Sequence, residues 1–157
     1  MSLGSTAEKL RGVGVETVGV VATAADRARR YFSYRRPHYP VAADPDLASH
    51  RAFGVPQVPF TEEVMRVVSA RRDDLVRTLG LSVGPGGSQE ALDREDEIHH
   101  DEFIPDMQRH QTQFTGQFLI DREGVIRWSN IEAERDGLPG IGAFPSDDEL
   151  LAAAKAL

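Results

Sequence analysis

Groups of apolar and polar residues divide the first part of the chain into predicted helices and strands. Residues 5–8, Ser-Thr-Ala-Glu, match a capping box and predict a short helix to about Arg11. Residues 15–22 are mostly apolar and β-branched, which predicts a buried strand. A helix is predicted over residues 25–34, and it stops before Pro37 because the residue preceding a proline avoids the helical conformation.

The next part of the chain is predicted to be a short strand followed by helices. Residues 39–47 predict a strand that runs into a turn, and residues 47–53 predict one or two helical turns. A long helix is predicted over residues 61–79, because Thr61 is a favoured N-cap and Gly80 follows the last turn. Its apolar stripe is predicted to consist of Val64, Val67, Val68, Leu75 and Leu79.

Two further helices are predicted on either side of the last strands. After a loop at residues 84–88, residues 89–104 predict a polar helix, or part of one, that ends before Pro105. Near the end of the chain, Ser146 is a favoured N-cap for a final helix over residues 150–157.

Residues 116–128, GQFLIDREGVIRW, carry the densest pattern in the chain. The apolar run 118–120 and the run 125–128 are separated by four turn-type residues that end in Gly124, which predicts a β-hairpin. The first run contains little polar alternation. It is therefore predicted to be buried on both faces, as in a sheet covered by helices.

Three sequence pieces precede this hairpin in a characteristic order: GVETVGVVAT, ARRYF and YPVAADPDLASHRAFGV. Together with the hairpin they resemble the peroxiredoxin-like proteins of the alkyl hydroperoxide reductase C and thiol-specific antioxidant family. The resemblance covers residues 15–55 and 116–157. It implies an α/β fold, a thioredoxin-like three-layer α/β/α sandwich, in which residues 1–157 form a single domain with a helical insertion at about 57–112.

The absence of cysteine decides what this resemblance implies about activity. The family's chemistry is the attack of a cysteine thiolate on a peroxide or disulfide, and the chain contains no cysteine. We therefore expect thiol-dependent reduction, with a peroxide and a thiol reductant as partners, in a complete gene product that carries an upstream cysteine. The cysteine-free chain is predicted to be inactive. The alternative is a non-catalytic thioredoxin-fold domain for binding or assembly.

On the alignment that the resemblance implies, the first, central strand is missing along with the Cys-bearing turn. That strand would lie between the predicted strand 15–22 and the strand at Phe118, so both would expose unpaired edges. Three alternatives follow: the native product is longer, the sheet closes directly with altered pairing, or a second copy supplies cover or a strand. A longer product or a homodimer is favoured over a conventional monomer.

The resemblance also implies a candidate binding site in the loop before the hairpin, at Thr115, Gly116 and Gln117. In thioredoxins the equivalent loop carries a cis-proline that faces the catalytic cysteines, whereas many peroxiredoxins have another residue there. Thr115 at the nearest position favours the peroxiredoxin pattern. The alternative is that these residues only begin a strand and have no binding role. No catalytic residue is predicted.

Composition narrows the class of protein. With 157 residues, of which 40% are hydrophobic and 27% charged, the chain has the length and balance of one globular domain. A net charge of −7 argues against a nucleic-acid partner held by a basic surface. The chain shows no membrane-spanning run and no signal peptide, so a cytoplasmic location is predicted. Neither a cofactor nor a thiolate metal site is expected.

Three other patterns in the sequence contain residue types that occur in functional sites. A stretch rich in imidazole and carboxylate groups is interpreted as a solvated polar helix, with a divalent metal site as the alternative. It contains Glu95, Asp96, His99, His100, Asp101, Glu102, Asp106 and His110. Arginines interleaved with aromatic residues over 27–39 favour a surface helix over nucleic-acid binding. The pair Ser49-His50 lacks a nucleophile-elbow pattern and predicts no hydrolase triad.

Overall fold

The computed structural model describes residues 3–34, 36–96 and 104–157. The fold is mixed α/β, with helices and small sheets. In chain order the elements are α1 (Leu3–Arg11), β1 (Gly19–Val21), α2 (Ala25–Tyr34), β2 (Val41–Ala43), α3 (Ala48–Ala52), β3 (Gln57–Val58), α4 (Glu62–Thr78), α5 (Gly87–Asp96), α6 (Ile104–His110), β4 (Thr112–Gln113), β5 (Gly116–Ile120), β6 (Ile126–Ile131), a 3₁₀ turn (Leu138–Gly140) and α7 (Asp147–Ala154).

The chain forms two compact units. The first consists of Met1–Val55, Thr115–Ile131 and Phe144–Leu157, and the second of Pro56–Phe114 and Glu132–Ala143. The segment 57–112, which the resemblance predicts to be a helical insertion, lies in the second unit. Its status as an insertion stays a prediction.

In the first unit, β1 and β2 form a parallel pair in which Val20 lies opposite Ala42. Parallel strands need a crossover connection, and α2 provides it. The predicted strand 15–22 is regular only over Gly19–Val21, and the prediction that it is buried is wrong at Val18 and Val20, which are exposed. The predicted helix 25–34 is confirmed.

The hydrophobic core of the first unit lies between α1, α7 and the β5–β6 hairpin. Leu10, Leu119 and Ala154 are its buried centre. The partly buried residues packed against them are Val13, Val15, Trp128, Leu151 and Ala153. Because Leu119 lies opposite Trp128 in the hairpin, one face of the hairpin belongs to this core.

The predicted hairpin is confirmed. Its turn is fixed by the Asp121 carboxylate, which accepts hydrogen bonds from the backbone N–H groups of Glu123 and Val125 at 3.0 and 2.8 Å. Gly124 has a φ of 80°, a conformation that favours glycine. The expectation that the first strand is buried on both faces is wrong at its end. Ile120 is 44% exposed, because it lies on the face of the strand opposite to that of Leu119, which packs against α1 and α7.

Two of the three predicted helix N-caps are confirmed, and the third is wrong. Thr61 Oγ1 accepts a hydrogen bond from Val64 N at 3.2 Å, and Ser146 Oγ accepts one from Glu149 N at 3.2 Å. The final helix begins directly after Ser146, three residues earlier than predicted, and ends at Ala154. The predicted capping box at Ser5 is wrong, because α1 already includes Leu3 and Ser5 lies inside it.

In the second unit, the apolar stripe predicted for α4 is partly wrong. Val64 and Val76 are buried, whereas Leu75 and Leu79 are 47% and 53% exposed. The reason is the position of α5, whose Ser88 donates a hydrogen bond to Asp73 at 2.5 Å. Since residues three apart share a helix face, α5 covers the face of Val76 and leaves that of Leu75 outside.

The polar helix predicted over 89–104 also differs from the structure. Helix α5 ends at Asp96, residues 97–103 lie outside the described part, and α6 begins at Ile104. Pro105 therefore stands in the first turn of a helix instead of ending one, because no intrahelical N–H is needed there. The antiparallel pair of β3 and β4, with Gln57 opposite Gln113, carried no sequence signal. None of the described helices has the length and apolar character needed to cross a membrane.

Candidate functional site

The strand β1 is paired along one edge only within the described residues. Gly19 N donates to Pro40 O at 2.9 Å, and Val21 O accepts from Asp44 N at 2.8 Å. Residues 19 and 21 thus direct their peptide groups towards β2. Because direction alternates along a strand, the N–H and C=O of Val20 point towards the opposite edge. We call this the β1 open edge, formed by the peptide groups of Val18 and Val20.

The side chains along the β1 open edge are also accessible. Val18 is 64% exposed and Val20 is 43% exposed. They alternate with the partly buried Thr17, Gly19 and Val21. Parallel strand pairs usually have both faces covered, so an exposed valine face on this pair is unusual.

The hairpin has an unpaired edge too. In the described part of the chain β5 pairs with β6 alone, and the two pairs β1–β2 and β5–β6 form separate sheets. Asp121 N donates to Val125 O at 3.0 Å, so the alternate residues Phe118 and Ile120 direct their peptide groups away from β6. Direct closure between β1 and β5, one of the three sequence alternatives, is therefore not the pairing in this structure.

The predicted loop Thr115–Gln117 forms the start of β5. Thr115 is exposed, while Gly116 and Gln117 are the first strand residues. Gln117 Oε1 accepts a hydrogen bond from Asn130 Nδ2 at 2.9 Å, which joins the two strands of the hairpin. At Gly116 a Cβ atom would lie 2.6 Å from Val55 Cγ2, so the backbone approaches its neighbour too closely for any side chain.

Asp44, Ser49 and His50 come together after β2, where the sequence predicted no triad. Ser49 Oγ donates to Asp44 Oδ2 at 2.5 Å, and it lies 3.5 Å from His50 Nδ1. The Ser49 hydroxyl is the main reason why the pKa of Asp44 lies below its ordinary value, and the backbone N–H groups of Ser49 and Ala48 add to it. The Asp44 carboxylate also accepts hydrogen bonds from the backbone N–H groups of Ala48 and Ser49, at 3.0 and 2.7 Å, and so it holds the start of α3.

His110 is buried, contrary to the prediction of a solvated polar helix. It is 5% exposed, and Gln57 Nε2 donates to its carbonyl oxygen at 3.0 Å, which brings β3 against the end of α6. Its Nε2 atom and Gln113 Oε1 lack hydrogen-bond partners among the described residues. His99 and His100 lie outside those residues. Across the ranges that are described, no group of three or more His, Asp or Glu side chains could hold a metal ion.

The arginine and aromatic pattern lies on and after α2. Tyr31 and Phe32 are half-buried and meet edge to face, with ring centroids 4.9 Å apart. Arg29 and Arg36 are exposed, and Arg35 lies outside the described residues. This distribution fits a surface helix anchored by its aromatic side chains.

Two carboxylates stabilise the structure around the hairpin through hydrogen bonds. The pKa of Asp121 is lowered mainly by the backbone N–H of Val125, with a further contribution from Arg127, whose Nε lies 2.5 Å from Asp121 Oδ2. The pKa of Asp147 is lowered by hydrogen bonds from Lys9 and then from Thr6. Both carboxylates thus stabilise local structure in the first unit.

Comparisons of the chain with protein-family models, with curated proteins and with solved structures found no match.

The sequence predicts unpaired strand edges, but Val18 and Val20 were not identified as the residues that form one of them. A signal was available, because residues 17–25 contain neither a charge nor a proline, the usual protection of an edge strand.

Proposed function

We propose that the chain is a thioredoxin-like domain of the peroxiredoxin-like kind that has no thiol chemistry of its own. In this proposal the β1–β2 and β5–β6 pairs flank the position of a central strand, and the helices form the outer layers of an α/β/α sandwich. The helical insertion in this proposal is about residues 57–112, which lie within the second unit. A cytoplasmic location belongs to the same proposal.

The observation that carries this proposal is the arrangement of the two strand pairs in the first unit. A parallel pair joined through α2 precedes an antiparallel hairpin followed by α7, and both pairs have an unpaired edge in the described residues. This is the order that the sequence motifs suggest, with one strand fewer. The close approach at Gly116 and the hydrogen-bonded Gln117 support an ordered loop at the proposed binding position.

The chemistry follows from the residues in the chain. A thiol peroxidase forms a bond between a cysteine sulfur and a peroxide oxygen, and none of the 157 residues supplies that sulfur. Thr115 and Gln117 offer a hydroxyl and an amide that are suited to orient a substrate and carry no nucleophile of comparable reactivity. Peroxide or disulfide reduction in this proposal therefore requires a cysteine from outside these residues.

The test is hydroperoxide consumption coupled to NADPH oxidation through a thiol reductant. The purified chain is expected to give no turnover above a control without protein. Where the reading frame continues upstream into an apolar strand and a Cys-bearing turn, the extended product is expected to consume peroxide, and its Cys→Ser variant is not. Turnover by the 157-residue chain, or an inactive extended product with that cysteine, would contradict the proposal.

A second candidate is a binding or assembly domain that keeps the fold without the chemistry. The β1 open edge favours it, because unpaired N–H and C=O groups beside exposed valines are a template for an added strand. Strand addition takes its affinity from main-chain hydrogen bonds, and side chains on alternate positions give specificity. This candidate predicts that the chain associates through β1 whether or not a thiol is present.

A further inference from the structure

Positive charge is concentrated in α2 and the residues that follow it, although the chain as a whole is acidic. Residues 27–43 contain five arginines, one histidine and no acidic residue. Five of the 18 basic residues lie there, so the rest of the chain combines 13 basic with 25 acidic residues, a charge of −12. The sequence therefore separates a short basic segment from an acidic remainder.

Two of these arginines have no partner in the described residues. Arg29 and Arg36 are exposed, and neither forms a hydrogen bond or an ion pair there. Asp26 lies three residues before Arg29 on the same helix, yet it does not pair with it. Ser33, one turn after Arg29, is also exposed, and its hydroxyl donates to the Arg30 carbonyl oxygen at 2.7 Å. Because neighbouring like charges repel and lower stability, this cluster has a cost that the described residues do not offset.

The exposed side of α2 presents charges without aromatic or large apolar side chains. Ala28 is buried, and Tyr31 and Phe32 are half-buried and meet edge to face. Since these three residues are three or four positions apart, they share one face of the helix, and Arg29 and Ser33 lie on the other. Stacking of nucleic-acid bases needs exposed rings, and insertion into a membrane needs exposed apolar side chains. The described side chains of α2 offer neither on this face.

We propose that the α2 basic surface, formed by Arg29, Arg30 and Arg36, binds an acidic segment of a partner protein. Guanidinium groups form paired hydrogen bonds with carboxylates, and arginine clusters commonly recognise acidic motifs. The exposed side of a helix is convex, whereas sites for small molecules are concave, so an extended segment fits it better.

The net charge of −7 is compatible with an acidic partner. At physiological ionic strength, charges further apart than about 8 Å are largely screened, so the local surface determines whether a contact is attractive. The acidic remainder of the chain repels the same partner elsewhere, which confines the contact to α2. This inference goes beyond the proposed function, and it requires neither a thiol nor the β1 open edge.

Fluorescence anisotropy with a short labelled peptide of alternating aspartate and glutamate residues tests this surface. The double variant Arg29→Gln/Arg36→Gln is expected to bind the peptide at least about fivefold more weakly than the wild type, because it loses two exposed ion pairs. The matched control is Arg66→Gln/Arg122→Gln, which removes two other exposed arginines without partners in the described residues and leaves the same net charge. Equal weakening in the two double variants would mean that only net charge matters, and would overturn the proposal.

NMR on the wild type locates the contact without relying on any variant. When the peptide is added, the backbone amide signals of Arg29, Ser33 and Arg36 are expected to shift, and those of Arg66 and Arg122 are not. The shifts are expected to shrink as the salt concentration rises, because the contact is electrostatic. No shift at low salt with millimolar peptide, or shifts confined to other parts of the chain, would overturn the proposal.

Two further anions test the class of the partner. A single-stranded oligonucleotide and vesicles that contain an anionic phospholipid are expected to compete poorly with the peptide, because this face has no exposed ring or large apolar side chain for them. If either of them shifts the α2 signals while the acidic peptide does not, the surface binds another class of partner, and the proposal is overturned.

Discussion

Thr6 Oγ1 donates a hydrogen bond of 2.6 Å to Asp147 Oδ1, joining two residues that are 141 positions apart in the sequence. Lys9 Nζ donates to the other carboxylate oxygen at 2.5 Å. Since Leu10 follows Lys9 in α1 and packs in the core with Leu119, these bonds keep α1 and α7 together over one face of the hairpin. The position of β5 in the first unit thus depends on contacts between the two ends of the chain.

Replacing Thr6 with valine tests this connection. Thr6 is 3% exposed, and Thr6→Val keeps its shape while removing the hydroxyl donor. We expect the free energy of unfolding to fall by about 1 kcal/mol, the usual loss for one hydrogen bond. Ser33→Ala serves as the control, because the Ser33 hydroxyl bonds the Arg30 carbonyl on an exposed helix. Urea denaturation that finds equal losses in the two variants would contradict the prediction.

The carboxylate in the hairpin turn makes stability dependent on pH. The pKa of Asp121 lies below its ordinary value of 3.8, chiefly because the Val125 N–H bonds the ionised form. Its contribution is therefore present above pH 3.8 and is lost as the pH falls through the lower pKa of the folded state. Asp121→Asn keeps an acceptor oxygen and does not titrate in this range.

We expect Asp121→Asn to melt at a lower temperature than the wild type at neutral pH. The difference between the two melting temperatures should shrink between about pH 5 and pH 2, because only the wild type loses a charged acceptor there. Thermal melts followed by circular dichroism measure both proteins across this range. A difference that stays constant with pH would show that the Asp121 charge does not stabilise the turn.

Gly116 tests the geometry of the proposed binding loop. A Cβ at this position would lie 2.6 Å from Val55 Cγ2 and 2.7 Å from Phe118 Cε2. Gly116→Ala is expected to destabilise the first unit by about 1–3 kcal/mol, the usual cost of overpacking. Gly84→Ala is the matched control, since its Cβ would meet Arg94 at an ordinary 3.5 Å. Equal stability of the two variants in guanidinium unfolding would contradict the close approach at Gly116.

The core of the hairpin is tested by truncating Leu119. This side chain is 5% exposed, and Leu119→Ala is expected to lower the free energy of unfolding by about 2–5 kcal/mol. Val125 is 45% exposed in the same hairpin, so Val125→Ala is expected to change it by no more than about 0.5 kcal/mol. Chemical denaturation measures both variants. A small loss at Leu119 would mean that α1 and α7 do not cover this strand.

The sequence predicted the features that depend on local side-chain chemistry. Thr61 and Ser146 were recognised as caps, and the turn at Asp121–Gly124 was recognised from its residue types, because each acts on backbone groups a few residues away. The exposure of Leu75 was not predictable in the same way. It depends on which face of α4 is covered by α5, and a helical period does not specify that.

At the candidate site, too, the exposure of side chains could not be predicted from local sequence. An apolar run at 15–22 indicates a strand, but its pairing partners decide whether Val20 is covered or open. The burial of His110 likewise depends on Gln57, which lies far away in sequence and bonds its carbonyl oxygen. Both errors arise because long-range contacts, and not local polarity, determine how far these side chains are exposed.

The pairing of β1 along one edge only is tested most directly by amide hydrogen exchange in a dilute sample, measured at two adjacent residues. The Gly19 N–H is bonded to Pro40 O, whereas the Val20 N–H points to the open edge. We predict slow exchange at Gly19 and exchange at Val20 at least about tenfold faster. Equal, strong protection of both amides in the dilute monomer would mean that another strand of the same chain already occupies this edge, and would contradict the account.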